Sequence, residues 1–243
     1  MRKLRFYYPE KLITFQELAL DQKSQHHHIK HVLRLKVGNT IELFNHHDNV
    51  AEATITNVGR NTVHVQVGTV TQQLTKSSLS THIGQVVAKS TAMDFFIQKA
   101  TELGVSKITP LIGDHTNIRK AGNKLEDKKQ HWENVAISAC AQAYRNDIPT
   151  IADAVTVDEW LAMEHTGAKL LLNPDPNDSV TSFSQHDSYN LLFGPEGGLT
   201  KREIELADHH GFSSVNLGPR VLRVETASLA VLSILQYQFG DLK

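Results

Sequence analysis

The chain has 243 residues, 40% of them hydrophobic and 21% charged, with a formal net charge of −1 at pH 7, a composition that leaves room for one large or two small globular domains. No run approaches the roughly 20 apolar residues of a membrane-spanning helix, and the basic opening, residues 1–6, lacks the apolar centre of a secretory signal. The single cysteine, Cys140, excludes an intramolecular disulfide, so a reducing, cytoplasmic location is expected. The charge is unevenly shared: residues 1–72 hold nine Lys/Arg against six Asp/Glu, and the remainder 16 against 20. A basic N-terminal part on a more acidic one fits an RNA-gripping module joined to an enzyme.

Taken in chain order, residues 3–7 alternate as a short strand. Residues 24–35 carry Ile29, Val32, Leu33 and Leu35 on one helical face. Residues 40–44, 50–58 and 62–70 are rich in Val, Ile and Thr and read as strands, separated by turn-forming residues at 45–49 and 59–61. These elements predict a small β-barrel domain over residues 1–72, followed by a polar linker at 71–78. Strands then alternate with helices: strands at 79–87, 107–111, 169–172, 190–193 and 214–217, and helices at 94–103, 125–144, 157–163, 201–210 and 225–239. That order predicts an α/β domain over 73–243 with a mostly parallel sheet. Gly104 reads as a helix C-cap, and Thr200-x-x-Glu203 as a capping box that opens a helix. Residues 173–188 are polar and rich in Pro and Asp, as in a loop. The last helix is apolar nearly all round, which predicts deep packing or a subunit interface.

Two segments carry the chemistry. Leu192-Phe193-Gly194-Pro195-Glu196-Gly197-Gly198-Leu199 and Leu217-Gly218-Pro219-Arg220-Val221-Leu222-Arg223-Val224-Glu225-Thr226-Ala227 each read as a strand entering a glycine loop and then a helix. Such loops let a small molecule approach main-chain N–H and C=O groups. The first is neither a phosphate loop nor G-x-G-x-x-G, and Glu196 would repel a phosphate. A neutral or cationic ligand, such as an adenosine carrying a sulfonium, suits it better. The histidine pairs do not form a ligand set, because adjacent side chains on a helix or strand point apart, and no metal is expected. Cys140 reads as a core residue.

The pair GPEGGLT and LGPRVLRVETA resembles the cofactor-binding signature of the bacterial 16S rRNA uracil-N3-methyltransferases, the RsmE-like branch of the SPOUT superfamily. Lys99-Ala100-Thr101-Glu102-Leu103-Gly104-Val105 resembles that family's QK-x-x-ELGV helix end, and His28-Ile29-x-x-Val32-Leu33-Arg34 its H-I-x-x-V-L-R stretch. Cys140 to Arg145 falls where the family shows C-E-Q-x-G-R, with Ala141 in place of the Glu and Tyr144 in place of the Gly. The resemblance implies a PUA-like β-barrel followed by a SPOUT α/β domain threaded as a trefoil knot, a homodimer, and methyl transfer from S-adenosylmethionine to N3 of one uridine in 16S rRNA of the small subunit. On that basis the expected cofactor residues are Leu172, Asn173, Gly194, Glu196, Gly197, Gly198, Leu217, Gly218, Leu222 and Thr226. Arg145, Arg220 and Arg223 are the candidates for holding or polarising the substrate, since guanidinium binds phosphate and uracil oxygens as a fork. Glu225, at a helix start, reads as a dipole partner rather than a base. Arg2, Arg5, Lys30, Arg34 and Lys89 are candidate rRNA contacts. A SPOUT enzyme with another RNA target, such as a ribose 2′-O, and a non-catalytic RNA-binding assembly factor are the alternatives.

Overall fold

The elements of the computed structural model, which describes residues 3–116, 122–173 and 183–242, divide into two units. One is Met1–Lys76 with Cys140–Ile148; the other is Ser77–Ala139 with Pro149–Lys243. The segment 140–148 thus groups with the N-terminal residues, whereas the boundary read at 72/73 assigns it to the second domain.

In the first unit, strands β1 (Arg5–Tyr7), β2 (Glu17–Leu20), β3 (Thr40–Phe44), β4 (Asn49–Val58) and β5 (Val63–Gln72) form one sheet in the order β1-β3-β4-β5-β2. β1 runs parallel to β3, and the other neighbours are antiparallel. Alternation along β3 to β5 buries Ile41, Leu43, Ile55, Val63, Val65 and Val67 in one cluster, as a two-residue period requires. Two register shifts in the β4–β5 pair, at 51/53 and 55/57, bend the long hairpin. β2 has no counterpart among the predicted strands: its four residues are too few for a pattern, and pairing with β5 creates it.

The helix predicted at 24–35 is shorter and not uniform. α1 (Lys23–His27) continues as a π-type turn over His28–Val32. The turn closes where Arg34 turns left-handed at φ 53° and the Leu35 N–H donates to the Ile29 carbonyl at 2.9 Å. Ile29 is buried, but Val32, expected on the same face, is 56% exposed. The wider turn rotates it off the apolar stripe.

Arg5 explains why residues 140–148 belong to this unit. Its side chain is buried; Nε donates to Glu42 Oε1 at 2.8 Å, Nη1 to the carbonyls of Cys140 and Arg145, each at 3.3 Å, and Nη2 to Asn146 Oδ1. Its guanidinium lies 4.4 Å from the centroid of the Phe44 ring. Burial pulls the Arg5 pKa down from its ordinary value, and the Glu42 carboxylate opposes that shift. The polar stretch read as a linker is also tied down: Thr75 Oγ1 donates to Asp147 Oδ1 at 3.1 Å and accepts from the Asn146 N–H at 2.7 Å.

In the second unit, β6 (Ser80–Val86), β7 (Lys107–Ile112), β8 (Thr150–Ile151), β10 (Ala168–Leu172), β11 (Ser188–Phe193) and β12 (Ser213–Val215) form a parallel sheet in the order β12-β10-β11-β6-β7-β8, and β9 (Val155–Thr156) also pairs with β7. α2 (Ser90–Glu102), α3 (Gly122–Ala143) and α6 (Val224–Phe239) contribute to one apolar cluster; α4 (Val157–Ala162) and α5 (Lys201–His209) contribute to a second. α2 starts four residues before its predicted start because its N-cap, Lys89, makes no side-chain capping bond and so leaves no sequence signal. It ends as read: Gly104 is left-handed at φ 88°, and the Val105 N–H reaches the Ala100 carbonyl at 3.0 Å, closing a Schellman turn. The capping box at Thr200 and Glu203 is formed, and α4 carries a second at Thr156 and Glu159. β8 and β9, two residues each, are too short for periodicity to reveal. The loop read at 173–188 lies partly outside the described residues, as does Arg2. Among the described residues no helix is long and apolar enough to cross a membrane.

Replacing Arg5 by Met strands the Glu42 carboxylate and the carbonyls it serves. Chemical unfolding of the full chain is expected to show a loss of about 3–5 kcal/mol; a loss below about 1 kcal/mol would show that Arg5 does not bind the segment together.

Candidate cofactor-binding site

Four neighbouring strands of the second unit, β12, β10, β11 and β6, run parallel, so their carboxyl ends lie side by side. The loops leaving them meet in a cavity of about 1010 Å³. Open parallel sheets bind ligands at this edge, because helices cover both faces and only the ends of the strands remain accessible.

β11 delivers the first glycine loop. Its turn is closed by the Gly198 N–H donating to the Pro195 carbonyl at 2.9 Å, with Gly198 left-handed at φ 75°. A Cβ at Gly194 would sit 2.8 Å from the Leu199 backbone nitrogen, whereas Cβ atoms at Gly197 and Gly198 would meet nothing within 4 Å. The first glycine therefore lets the loop fold on itself, and the other two leave main chain facing open space. Glu196 is held by the Lys89 N–H, which donates to its Oε1 at 3.2 Å. The loop ends in the capping box of α5, where the buried Glu203 accepts from the Thr200 N–H at 2.7 Å and from the Asp114 N–H at 2.9 Å.

β12 delivers the second loop. Asn216 Oδ1 accepts from the Gly218 N–H at 2.7 Å, with Gly218 left-handed at φ 93°, a side-chain turn that stands in for a backbone one. Between the two, β10 ends at Leu172, and the Asn173 N–H donates to the Val215 carbonyl at 3.0 Å.

Of the predicted cofactor residues, Leu172, Asn173, Gly194, Glu196, Gly197, Gly198, Leu217, Gly218 and Leu222 line this one cavity; Thr226 does not, although Glu225 and Ala227 on either side do. Arg220, Arg223 and Lys89 also line it. All three are exposed, and no described carboxylate forms an ion pair with Arg220 or Arg223, neither Glu196 nor Glu225 included. These three cations stand at a cavity that Glu196 and Glu225 also line, and much of the remaining wall is glycine backbone and apolar side chains.

A family model described as an RNA methyltransferase domain matches residues 75–236, and one described as an RNA methyltransferase PUA domain matches residues 20–68. The ribosomal RNA small subunit methyltransferase E of Buchnera aphidicola from Schizaphis graminum is 36% identical over 90% of both chains; that of Bacillus subtilis is 28% identical over 87% of both. The chain belongs to this RNA methyltransferase family. Two solved structures cover it completely: a protein from Legionella pneumophila described as a methyltransferase, in complex with bound SAM (TM-score 0.94, 35% identity), and the ribosomal RNA small subunit methyltransferase E of Neisseria gonorrhoeae bound to S-adenosyl methionine (TM-score 0.89, 29% identity). The methyltransferase match takes in most of the second unit together with residues 140–148, and the PUA match falls within the first.

Three predicted site residues need correction or qualification. Arg145, expected to hold or polarise the substrate, is not a cavity residue: it lies in the first unit, buried, and grips Asp147 through Nη2 at 2.6 Å and Nε at 3.3 Å. Its fork is spent on an ion pair. Arg5, expected on RNA, is buried as described above. Lys30 donates through Nζ to the Gly59 carbonyl at 2.9 Å, while Arg34 is exposed. The family's glycine before Arg145 also finds its reason. Tyr144 is left-handed at φ 60°, a conformation that costs a residue with a side chain about 1–2 kcal/mol, and its hydroxyl bonds the Lys3 carbonyl at 2.8 Å. Cys140 is buried and its thiol pushed up to about 12 by burial, so it is no nucleophile at neutral pH. Among the described residues no three His, Cys, Asp or Glu side chains are grouped to hold a metal.

Sequence reading missed Gln85 and Ser228, both fully buried. Gln85 Nε2 donates to the carbonyls of Gly194 and Val86, each at 3.1 Å, and the Ser228 hydroxyl lies 2.9 Å from Gln85 Oε1. A glutamine among Ile83, Gly84 and Val86 of β6 was the available signal.

Proposed function

We propose that this protein transfers a methyl group from S-adenosylmethionine to N3 of a specific uridine in 16S rRNA of the small ribosomal subunit. The observation that carries the reading is the single cavity in which both glycine loops meet, in a chain whose relatives are small-subunit rRNA methyltransferases. The residues present fit the cofactor. Gly197, Gly198 and Gly218 present main chain to open space, and the apolar Leu172, Leu217 and Leu222 supply walls for an adenosine. The cavity volume suits a ligand of that size.

When bound, the cofactor supplies an electrophilic methyl group; the chain's own residues prepare the acceptor. Uracil N3 carries a proton that leaves free uridine only at alkaline pH, so the site must assist its removal or stabilise the anionic ring. Arg223 and Arg220, unpaired by any described carboxylate, donate to the uracil oxygens where the negative charge develops. Lys89 on the second unit, and the exposed Arg34 with Lys30 on the first, contribute charge toward RNA phosphates. Alignment of acceptor and donor within the cavity supplies the remaining advantage. The same reading includes a trefoil-threaded SPOUT domain over 73–243, an RNA-holding domain over 1–72, action in the cytoplasm, and a homodimer to which α6 contributes, since Tyr237 is 66% exposed on that helix.

Mass spectrometry of nucleosides from 16S rRNA tests the reaction. Deletion of the gene is expected to remove one N3-methyluridine, the wild-type gene to restore it, and Arg223→Ala to lower turnover by about 100-fold or more while the protein stays folded. Loss of a ribose methyl instead would assign a different target, and undiminished activity would remove Arg223 from the mechanism. The cofactor site is tested separately by calorimetry. Gly194→Ala forces the loop off Leu199 and is expected to weaken S-adenosylmethionine binding by about tenfold or more; an unchanged affinity would contradict the assignment of that loop.

A further inference from the structure

We propose that Gln85 is a positioning residue for cofactor binding: from β6, outside the cavity wall, its carboxamide sets the first glycine loop and the start of α6 in one fixed relation. This rests on the reading of the cavity as the S-adenosylmethionine site. The first link is to Gly194, whose carbonyl accepts from Gln85 Nε2 at 3.1 Å. The second is to Ser228 of α6, whose hydroxyl donates to Gln85 Oε1 at 2.9 Å and shares its one proton with the Val224 carbonyl, also 2.9 Å away. Val224 opens α6 directly after Arg223, the helix N-cap. One side chain thus reaches the entry of the first loop and, through Ser228, the exit of the second. The remaining amide proton goes to the Val86 carbonyl at 3.1 Å, so the carboxamide cannot turn over without breaking bonds.

An apolar side chain of similar length would fill the same space without the cost of burying an amide. What the amide adds is direction. Gly194 has no side chain to restrain its peptide plane, and its carbonyl is oriented by the Gln85 donor. A loop held in its binding conformation before the ligand arrives loses less entropy when the ligand binds, so the effect belongs in cofactor affinity rather than in the transfer step.

The test uses the full chain with S-adenosylhomocysteine as probe, measured by calorimetry, alongside steady-state kinetics on small subunits. Gln85→Met is expected to raise the dissociation constant by about tenfold or more. It should raise KM for S-adenosylmethionine in parallel, and leave KM for the subunit and kcat at saturating cofactor within about threefold. Ser228→Ala should weaken the probe by about threefold or more, and Ser228→Thr, which keeps the hydroxyl, should restore it. If Gln85→Met does not fold, the Ser228 pair decides. Probe affinity within about twofold of wild type in folded Gln85→Met, or in Ser228→Ala if that pair decides, would overturn the proposal. So would a fall in kcat with KM for the cofactor unmoved. A wild-type chain that binds no probe would instead overturn the cofactor reading on which the proposal stands.

Discussion

The cavity depends on parallel pairing. Leu170 and Leu171 of β10 lie between β11 on one side and β12 on the other, and β6 continues the sheet beyond β11. Because every one of these strands points the same way, four chain segments leave the sheet at a common edge. Reversing one would carry its loop to the opposite end. Ile83 of β6, Leu191 and Leu192 of β11 and Leu171 of β10 are buried at 1% exposure or less, so the pairing is anchored by burial on both faces, as parallel sheets require. The cavity is therefore a consequence of strand direction before it is a property of any side chain.

On that scaffold the work is divided by chemistry. Glycine backbone and apolar side chains such as Leu172, Phe193 and Leu217 make up much of the cavity wall, which in the proposed reading gives an adenosine shape and main-chain partners. Arg220, Arg223 and Lys89 stand at its exposed margin, where an anionic nucleic acid needs charge. The two arginines buried in the first unit serve a different purpose. Arg5 and Arg145 are consumed by Glu42, Asp147 and backbone carbonyls, and they stabilise the segment 140–148 rather than meet a ligand.

How much of this was legible follows from which forces leave local traces. β3 was legible at its observed bounds because its β-branched and aromatic residues sit between clear turns, and the start of α5 because Thr200 and Glu203 announce a capping box. The loop residues were legible because glycine at positions 194, 198 and 218 answers to close approach or a left-handed backbone. β2, β8 and β9 were not, since segments of two to four residues acquire strand geometry only from their neighbours. The role of Arg145 was misread because an arginine in sequence looks the same whether it faces a ligand or a buried Asp147. Val32 was placed inside because a π-type turn cannot be told from an α-helical one by apolar spacing. Gln85 was overlooked because its partners are 109 and 143 residues away.

The most direct test of this account is a crystal structure of the chain grown with S-adenosylmethionine. The account predicts the cofactor lodged between residues 194–198 and 217–222, against Leu172, with main-chain groups of those loops as its polar partners. Density for the cofactor elsewhere on the chain, or the two loops drawn apart around it, would contradict the claim that parallel strand ends build the methyl-donor site.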